Sequence, residues 1–151
     1  MLKRVCLFIV TLSSLVVLGL PIAQAQSNNG LRARVPFDFY VRDHLMPAGA
    51  YTIRAVSDGS ATLIIRNADG RDAVVVLTSG AEAKGRQPDN ARLIFKRYGD
   101  QYFLAAAWQD AHEGRAIIPS RRERGLRQEL ALGGQAAEPE TISIVASLAG
   151  N

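Results

Sequence analysis

The feature that most constrains this chain is a strict alternation of apolar and more polar residues in short segments separated by turn residues. In the clearest segment, 34–42, Val35, Phe37, Phe39 and Val41 occupy every second position. A period of two places successive side chains on opposite faces of a strand. The pattern therefore predicts a strand with one buried face, and it favours a β fold over a helical one.

The sequence is most informative at a hairpin centred on Gly99-Asp100, because turn chemistry and alternation agree there. With those two residues as the loop, Phe95 lies opposite Leu104 on an apolar face. The same register pairs Leu93 with Ala106, Ala91 with Trp108, and Arg97 with Tyr102. The last pair is within reach of a cation–π contact. A packed core would then bring together Phe37, Phe39, Phe95, Leu104 and Trp108.

Further strands are predicted from the same alternation, and one helix from a capping box. The strands cover 51–56, 61–66, 73–78 and 141–148. Ser120 followed by Glu123 is typical of a helix N-terminus, and Gly133-Gly134 of a helix end. Connections of about two to four residues are too short for parallel crossovers. The sequence therefore predicts an all-β fold, an antiparallel sandwich or small barrel of about seven strands, with one short surface helix near the C-terminus.

The N-terminus has the three parts of a secretory signal in order. Lys3 and Arg4 precede an apolar stretch over 5–20, and Ala23-Gln24-Ala25 supplies the small residues of a cleavage site. A membrane anchor is the alternative, but the stretch is shorter than the roughly 20 residues that span a bilayer. We expect cleavage after Ala25, export to the periplasm or the outside of the cell, and no membrane span in the processed chain.

Cleavage changes what the composition implies. The predicted signal peptide, 1–25, holds the single Cys and two of the 18 Lys and Arg, so the processed chain has 16 basic against 14 acidic residues, a formal charge of +2. A chain without thiols has no disulfide and no cysteine nucleophile. Export and the small charge argue against nucleic acid as a partner. The rest of the chain is expected to form a flexible leader over 26–32 and a single β domain over 33–151.

The densest basic cluster surrounds the start of the predicted helix. Its members are Arg115, Arg121, Arg122, Arg124 and Arg127. Cations near a helix N-terminus oppose the helix dipole, so these residues do not favour the helix itself. One interpretation is an anion site for phosphate, a carboxylate or an acidic envelope polymer. The other is a solvated face paired with Glu123, Glu113 and Asp110, which is the usual meaning of a charge run.

Aromatic and histidine side chains supply weaker candidates. Tyr40 is predicted to point away from the Phe37 and Phe39 face, toward solvent or a partner such as a sugar or an apolar ligand. His44 and His112 lie beside acidic residues, but two histidines without ligand spacing predict neither a metal site nor a catalytic pair. The sequence contains no nucleophile elbow and no phosphate-binding glycine loop. We therefore expect no cofactor and no catalytic residues.

Five stretches of the processed chain carry a resemblance. They read VPFDF (35–39), LMPAGAY (45–51), IRNADG (65–70), FKRYGDQYFL (95–104) and PSRRE (119–123). Together they resemble a family of short exported bacterial proteins that has no assigned biochemical role. The resemblance implies a secreted, mostly β domain and supplies no activity.

Three functional hypotheses follow. The first is an exported, non-enzymatic β domain that binds or supports something in the periplasm or at the cell surface, such as an envelope component or an anionic ligand. The second is a small barrel that carries an apolar ligand, which needs an unfilled cavity instead of a packed core. The least supported is an envelope enzyme that uses His44 or His112.

Overall fold

The computed structural model describes residues 30–82, 89–134 and 138–149 of the chain. Within them the chain forms eleven strands and one helix. The strands are β1 (Gly30–Val35), β2 (Phe39–Val41), β3 (His44–Met46), β4 (Gly49–Ala55), β5 (Thr62–Asn67), β6 (Ala73–Gly80), β7 (Arg92–Tyr98), β8 (Gln101–Trp108), β9 (Gly114–Ile117), β10 (Glu140–Val145) and β11 (Ser147–Leu148), and the helix is α1 (Arg121–Leu132). The predicted all-β fold with one short helix near the C-terminus is confirmed. The predicted signal peptide, and residues 26–29 of the predicted leader, lie outside the described residues.

The described strands join in one mixed sheet, in the order β10-β7-β8-β9-β6-β5-β4-β1-β11, with β2 and β3 attached beside β8. The pairing of β2 with β8, at Tyr40 and Phe103, is parallel. The sheet is not closed into a barrel. Its ends, β10 and β11, are consecutive in the chain and separated by Ala146 alone, so one stretch of chain borders both ends of the sheet. In the described part of the chain, no helix is both long and apolar enough to cross a membrane.

Strand β6 divides the sheet into two halves that share one core. It pairs with β5 through 73–77 and with β9 through 78–80. The core joins side chains of β1, β4 and β5 to side chains of β7 and β8. Phe95 is fully buried and meets Phe37 and Phe39 edge to face, with ring centroids 5.3 Å apart in both pairs. The predicted contact of these three rings is confirmed.

The clearest alternating segment, predicted as a single strand, is divided into β1 and β2. Pro36, which has no backbone N–H, directly follows β1. The Asp38 carboxylate accepts a hydrogen bond from the Ala48 N–H at 2.7 Å, and the Tyr51 hydroxyl donates to the Pro47 carbonyl. Burial and nearby carboxylates raise the pKa of Tyr51 to about 12. The continuity of the strand was therefore predicted wrongly: the chain bends after Val35, where the Asp38 carboxylate binds the backbone of the distant Ala48.

The start of the domain also differs from the prediction. β1 begins at Gly30, three residues before Ala33, because Leu31 is buried and pairs with Ile53 of β4 and Leu148 of β11. Neither β3 nor β9 follows from the sequence, since strands of three and four residues are too short to show an alternation.

The β7–β8 hairpin keeps its predicted register only near the loop. Phe95 pairs with Leu104, and Arg97 pairs with Tyr102 and lies 5.5 Å from its ring centroid, as predicted. Beyond these pairs the register shifts by one residue at Ala105, a β-bulge. The shift moves Trp108 opposite Arg92 and onto the outward face of the sheet. Trp108 is buried, with 5% of its surface exposed, but it packs on the outward side of the hairpin and is not part of the cluster that holds Phe37, Phe39 and Phe95. Its burial was predicted correctly and its contact with those rings wrongly.

Candidate functional site

Helix α1 begins as the capping box predicts. Ser120 is the N-cap, and its hydroxyl accepts a hydrogen bond from the Glu123 N–H at 3.1 Å. The helix ends before Gly133, and Gly134 has a φ of 70°, a conformation that favours glycine. The predicted start and end of the helix are confirmed, which fixes where the arginines of its first two turns lie.

The first turn of α1 is anchored to the sheet by a buried acid. Glu123 is 7% exposed, and its Oε1 accepts a hydrogen bond from the Tyr98 hydroxyl of β7 at 3.3 Å. Burial raises the pKa of Glu123, and the positive charges of Lys96, Arg124 and Arg127, with the Tyr98 hydrogen bond, oppose that rise. Burial and the Glu123 carboxylate also raise the pKa of Tyr98. These groups hold the helix on the sheet.

Tyr40 and Arg122 form a stacked group beside this anchor. The Tyr40 ring stacks on Phe103 with centroids 5.2 Å apart, and the Arg122 guanidinium lies 4.3 Å from the centroid of the Tyr40 ring. Arg122 also donates two hydrogen bonds to Gln101 Oε1, from Nε at 3.2 Å and Nη2 at 3.1 Å. Tyr40 does point away from the core, as predicted, but protein groups rest on its ring.

The same outward side of the hairpin carries a second arginine over an aromatic ring. Arg92 is 2% exposed, with its guanidinium carbon 5.3 Å from the Trp108 ring centroid. Gly114 lies against the same indole, and a Cβ at Gly114 would fall 2.5 Å from the ring. We call this side of β7 and β8, with the groups that rest on it, the aromatic face. Its aromatic and charged residues are Tyr40, Arg92, Tyr98, Phe103, Trp108 and Arg122.

The other arginines of the predicted cluster do not converge on one point. Arg124 donates a hydrogen bond to the Pro119 carbonyl at 2.6 Å. Arg121 and Arg127 are exposed on α1. Arg115 lies on β9 opposite Ala107 and lines a separate cavity. The structure therefore groups four of the five arginines on the helix and places the fifth elsewhere.

The cavity at Arg115 is small. Its volume is about 20 Å³, room for about one water molecule. Leu31, Ile53 and Leu63 form its apolar part, and Glu113 and Arg115 contribute polar groups. A pocket for a drug-sized ligand has about 300 Å³ or more, so this cavity is too small for the apolar cargo of the carrier hypothesis.

The loop around His112 is organised by its own backbone. The Asp110 carboxylate accepts hydrogen bonds from the N–H groups of His112 and Glu113, both at 2.7 Å, and these bonds lower the pKa of Asp110. His44 is exposed on β3. Among the described residues, no group of three or more His, Cys, Asp or Glu side chains is placed to hold a metal ion. Asp110 here acts as a turn residue.

A second group of arginines is not apparent from the sequence. Arg32 and Arg34 of β1, Arg54 of β4 and Arg66 of β5 are exposed and point outward from the half of the sheet opposite the hairpin. They alternate with buried residues in their own strands, and that is the signal that marks each of them as outward. Only the strand pairing shows that they share a face. We call this side of β1, β4, β5 and β6 the arginine face.

Comparison of the chain with family models, curated proteins and solved structures finds no match.

Proposed function

We propose that this chain is an exported, non-enzymatic β domain with a binding or structural role in the periplasm or at the cell surface. The observation that carries the proposal concerns the ionisable side chains of the described residues: which of them hold the structure and which are exposed. The Asp110 and Glu123 carboxylates accept hydrogen bonds that hold a turn and the helix, whereas Arg121 and Arg127 are exposed. A guanidinium stays protonated at neutral pH, so it binds anions and does not transfer protons.

An anionic ligand or envelope component is the partner that helix α1 suits. Guanidinium groups bind phosphate and carboxylate with two parallel hydrogen bonds. The five stretches that resemble the exported family each contain residues that hold a turn, a hairpin or a helix cap in this fold. The resemblance therefore concerns the scaffold, and the exposed charges are where a partner would bind.

Retention on an immobilised sulfate or heparin matrix tests the helix. The double variant Arg121→Gln/Arg127→Gln should elute at lower salt than Arg42→Gln/Arg71→Gln, which removes the same charge from exposed turns. Equal elution of the two variants would show that only net charge matters and would remove α1 as a binding surface.

Two further measurements test export and the absence of catalysis. N-terminal sequencing of the protein from the periplasmic fraction should begin at Gln26; a chain that keeps Met1 in the cytoplasm would overturn the export. A panel of ester, phosphoester and glycoside substrates should show no hydrolysis above background. Turnover that is lost in His44→Ala or His112→Ala would establish an enzyme instead.

A further inference from the structure

The strand register places the arginines of the arginine face in one compact patch. Arg32 pairs with Thr52, and Thr52 pairs with Arg66, so these three residues form a row across three strands. Arg54 lies in the adjacent outward row and Arg34 in the row on the other side. With strands about 4.8 Å apart and outward residues about 7 Å apart along a strand, all four arginines lie within about 15 Å of one another.

These four charges are not neutralised within the described chain. Within the described residues, none of the four arginine side chains has a hydrogen bond or an ion pair; the ion pair seen there joins Arg97 to Glu140, on the other half of the sheet. Strands β1, β4, β5 and β6 contain no Asp or Glu. The nearest acidic residues in sequence lie in turns, Asp58 after β4 and Asp69 and Asp72 after β5. The face therefore attracts anions.

An apolar margin continues the patch along β5 and β6. Ile64 lies opposite Val75, and Leu77 is the next outward residue of β6. Val75 is 62% exposed and Leu77 is 56% exposed. No outward position of these four strands holds an aromatic side chain. The face is thus a sheet surface on which guanidinium groups adjoin exposed aliphatic side chains.

We propose that the arginine face docks on the phosphate headgroups of an anionic membrane surface. Guanidinium groups bind phosphate in bidentate geometry. Aliphatic side chains beside them enter the boundary between headgroups and acyl chains, as in proteins that lie on a membrane without crossing it. Single-stranded nucleic acids are usually held by stacking on aromatic side chains, which this face lacks. The surface is distinct from helix α1, and the inference does not depend on anion binding there.

Sedimentation with lipid vesicles tests the docking, using the protein purified from the cell in its processed form. One vesicle type is pure phosphatidylcholine, and the other contains about one third phosphatidylglycerol. The wild type should bind only the anionic vesicles, and the binding should weaken with added salt. Each arginine near an anionic surface changes the partition coefficient by about fivefold, so Arg32→Gln/Arg66→Gln should lower it by about 25-fold.

Two matched variants separate this surface from general charge and from the helix. Arg121→Gln/Arg127→Gln removes the same charge from α1. Its vesicle binding should lie within about twofold of that of the turn variant Arg42→Gln/Arg71→Gln, which measures the effect of net charge alone. Val75→Ser/Leu77→Ser should weaken binding to anionic vesicles without changing its salt dependence. Thermal unfolding confirms that each variant is folded.

Three outcomes would overturn the proposal. Equal wild-type binding to neutral and anionic vesicles excludes headgroup charge as the determinant. An equal loss of vesicle binding in Arg32→Gln/Arg66→Gln and in Arg121→Gln/Arg127→Gln shows that the protein is attracted by its net charge alone. Binding to soluble dextran sulfate that survives an excess of anionic vesicles identifies an acidic polysaccharide as the partner. Each result is independent of the matrix retention that tests helix α1.

Discussion

The aromatic face and the arginine face lie on opposite halves of one sheet, and both carry arginines, but in opposite surroundings. On the aromatic face, Arg92 and Arg122 lie over Trp108 and Tyr40, and Arg92 is almost completely buried. On the arginine face, no outward position of β1, β4, β5 or β6 holds an aromatic or acidic side chain. The side chains that other elements place beside an arginine, and not the density of arginine in the sequence, decide whether it holds the fold or is free to bind.

The largest expected effect tests the core on which both faces depend. Phe95→Ala should lower the free energy of unfolding by about 3–5 kcal/mol, because it removes a fully buried ring that contacts Phe37 and Phe39. Denaturant titration measures the change. Ile94→Ala, one residue away on the outward side and only half-buried, is the control and should cost clearly less. Similar losses in both variants would contradict a core confined to the inward face.

A second prediction tests how tightly the aromatic face is packed. Gly114→Ala should destabilise the protein by about 1–3 kcal/mol, since the added Cβ would fall 2.5 Å from the Trp108 ring. Gly125→Ala in helix α1 is the matched control. Its Cβ meets nothing within 4 Å, and alanine should stabilise the helix by about 0.5–1 kcal/mol. Equal thermal stability of Gly114→Ala and the wild type would show that the indole moves aside freely.

The aromatic face also predicts how stability depends on pH. Burial raises the pKa of Glu123 above its value in the unfolded chain, so the folded state holds the proton more tightly. This stabilisation is present in full below the unfolded pKa and is lost as pH rises through the folded pKa. The unfolding free energy of the wild type, relative to that of Glu123→Gln, should therefore fall as pH rises above the ordinary glutamate pKa of about 4.3.

Denaturant titrations at several pH values measure that trend. Glu129→Gln, at an exposed position on the same helix, is the control for the loss of one carboxylate. A wild-type advantage over Glu123→Gln that grows with pH would show that the nearby positive charges outweigh burial. The attachment of α1 would then be an ordinary ion pair.

Much of the fold follows from local sequence signals. The features that do not follow from them depend on contacts between residues that are distant in sequence. The turn at Gly99-Asp100 and the cap at Ser120 each depend on a few adjacent residues, so both were predictable. The bulge at Ala105 leaves the alternation of apolar residues almost unchanged, because the bulge region is a run of alanines. It nevertheless moves Trp108 to the other face. A register read outward from the turn cannot detect such a shift.

The same limit applies to the prediction of the two arginine-bearing faces from the sequence. The arginines of α1 were visible because they are close in sequence, but the partners of Arg122, Tyr40 and Gln101, come from distant strands. The arginine face depends on the pairing of β1 with β4, which the β2–β3 hairpin separates in the chain. No turn specifies that pairing, so the alternation indicates that Arg32 and Arg66 point outward but not that they are neighbours.

The smallest expected effect compares one arginine from each face directly. Arg122→Ala should lower the free energy of unfolding by about 0.5–1 kcal/mol, because it removes a cation–π contact with Tyr40 and the hydrogen bonds to Gln101 at an exposed position. Arg32→Ala should change stability by less than about 0.5 kcal/mol, since that side chain contacts no partner in the described chain. Vesicle binding should show the reverse order, with a loss in Arg32→Ala and little change in Arg122→Ala. Because the two substitutions remove the same charge, a variant that lost both stability and binding would show that the two faces do not separate these roles.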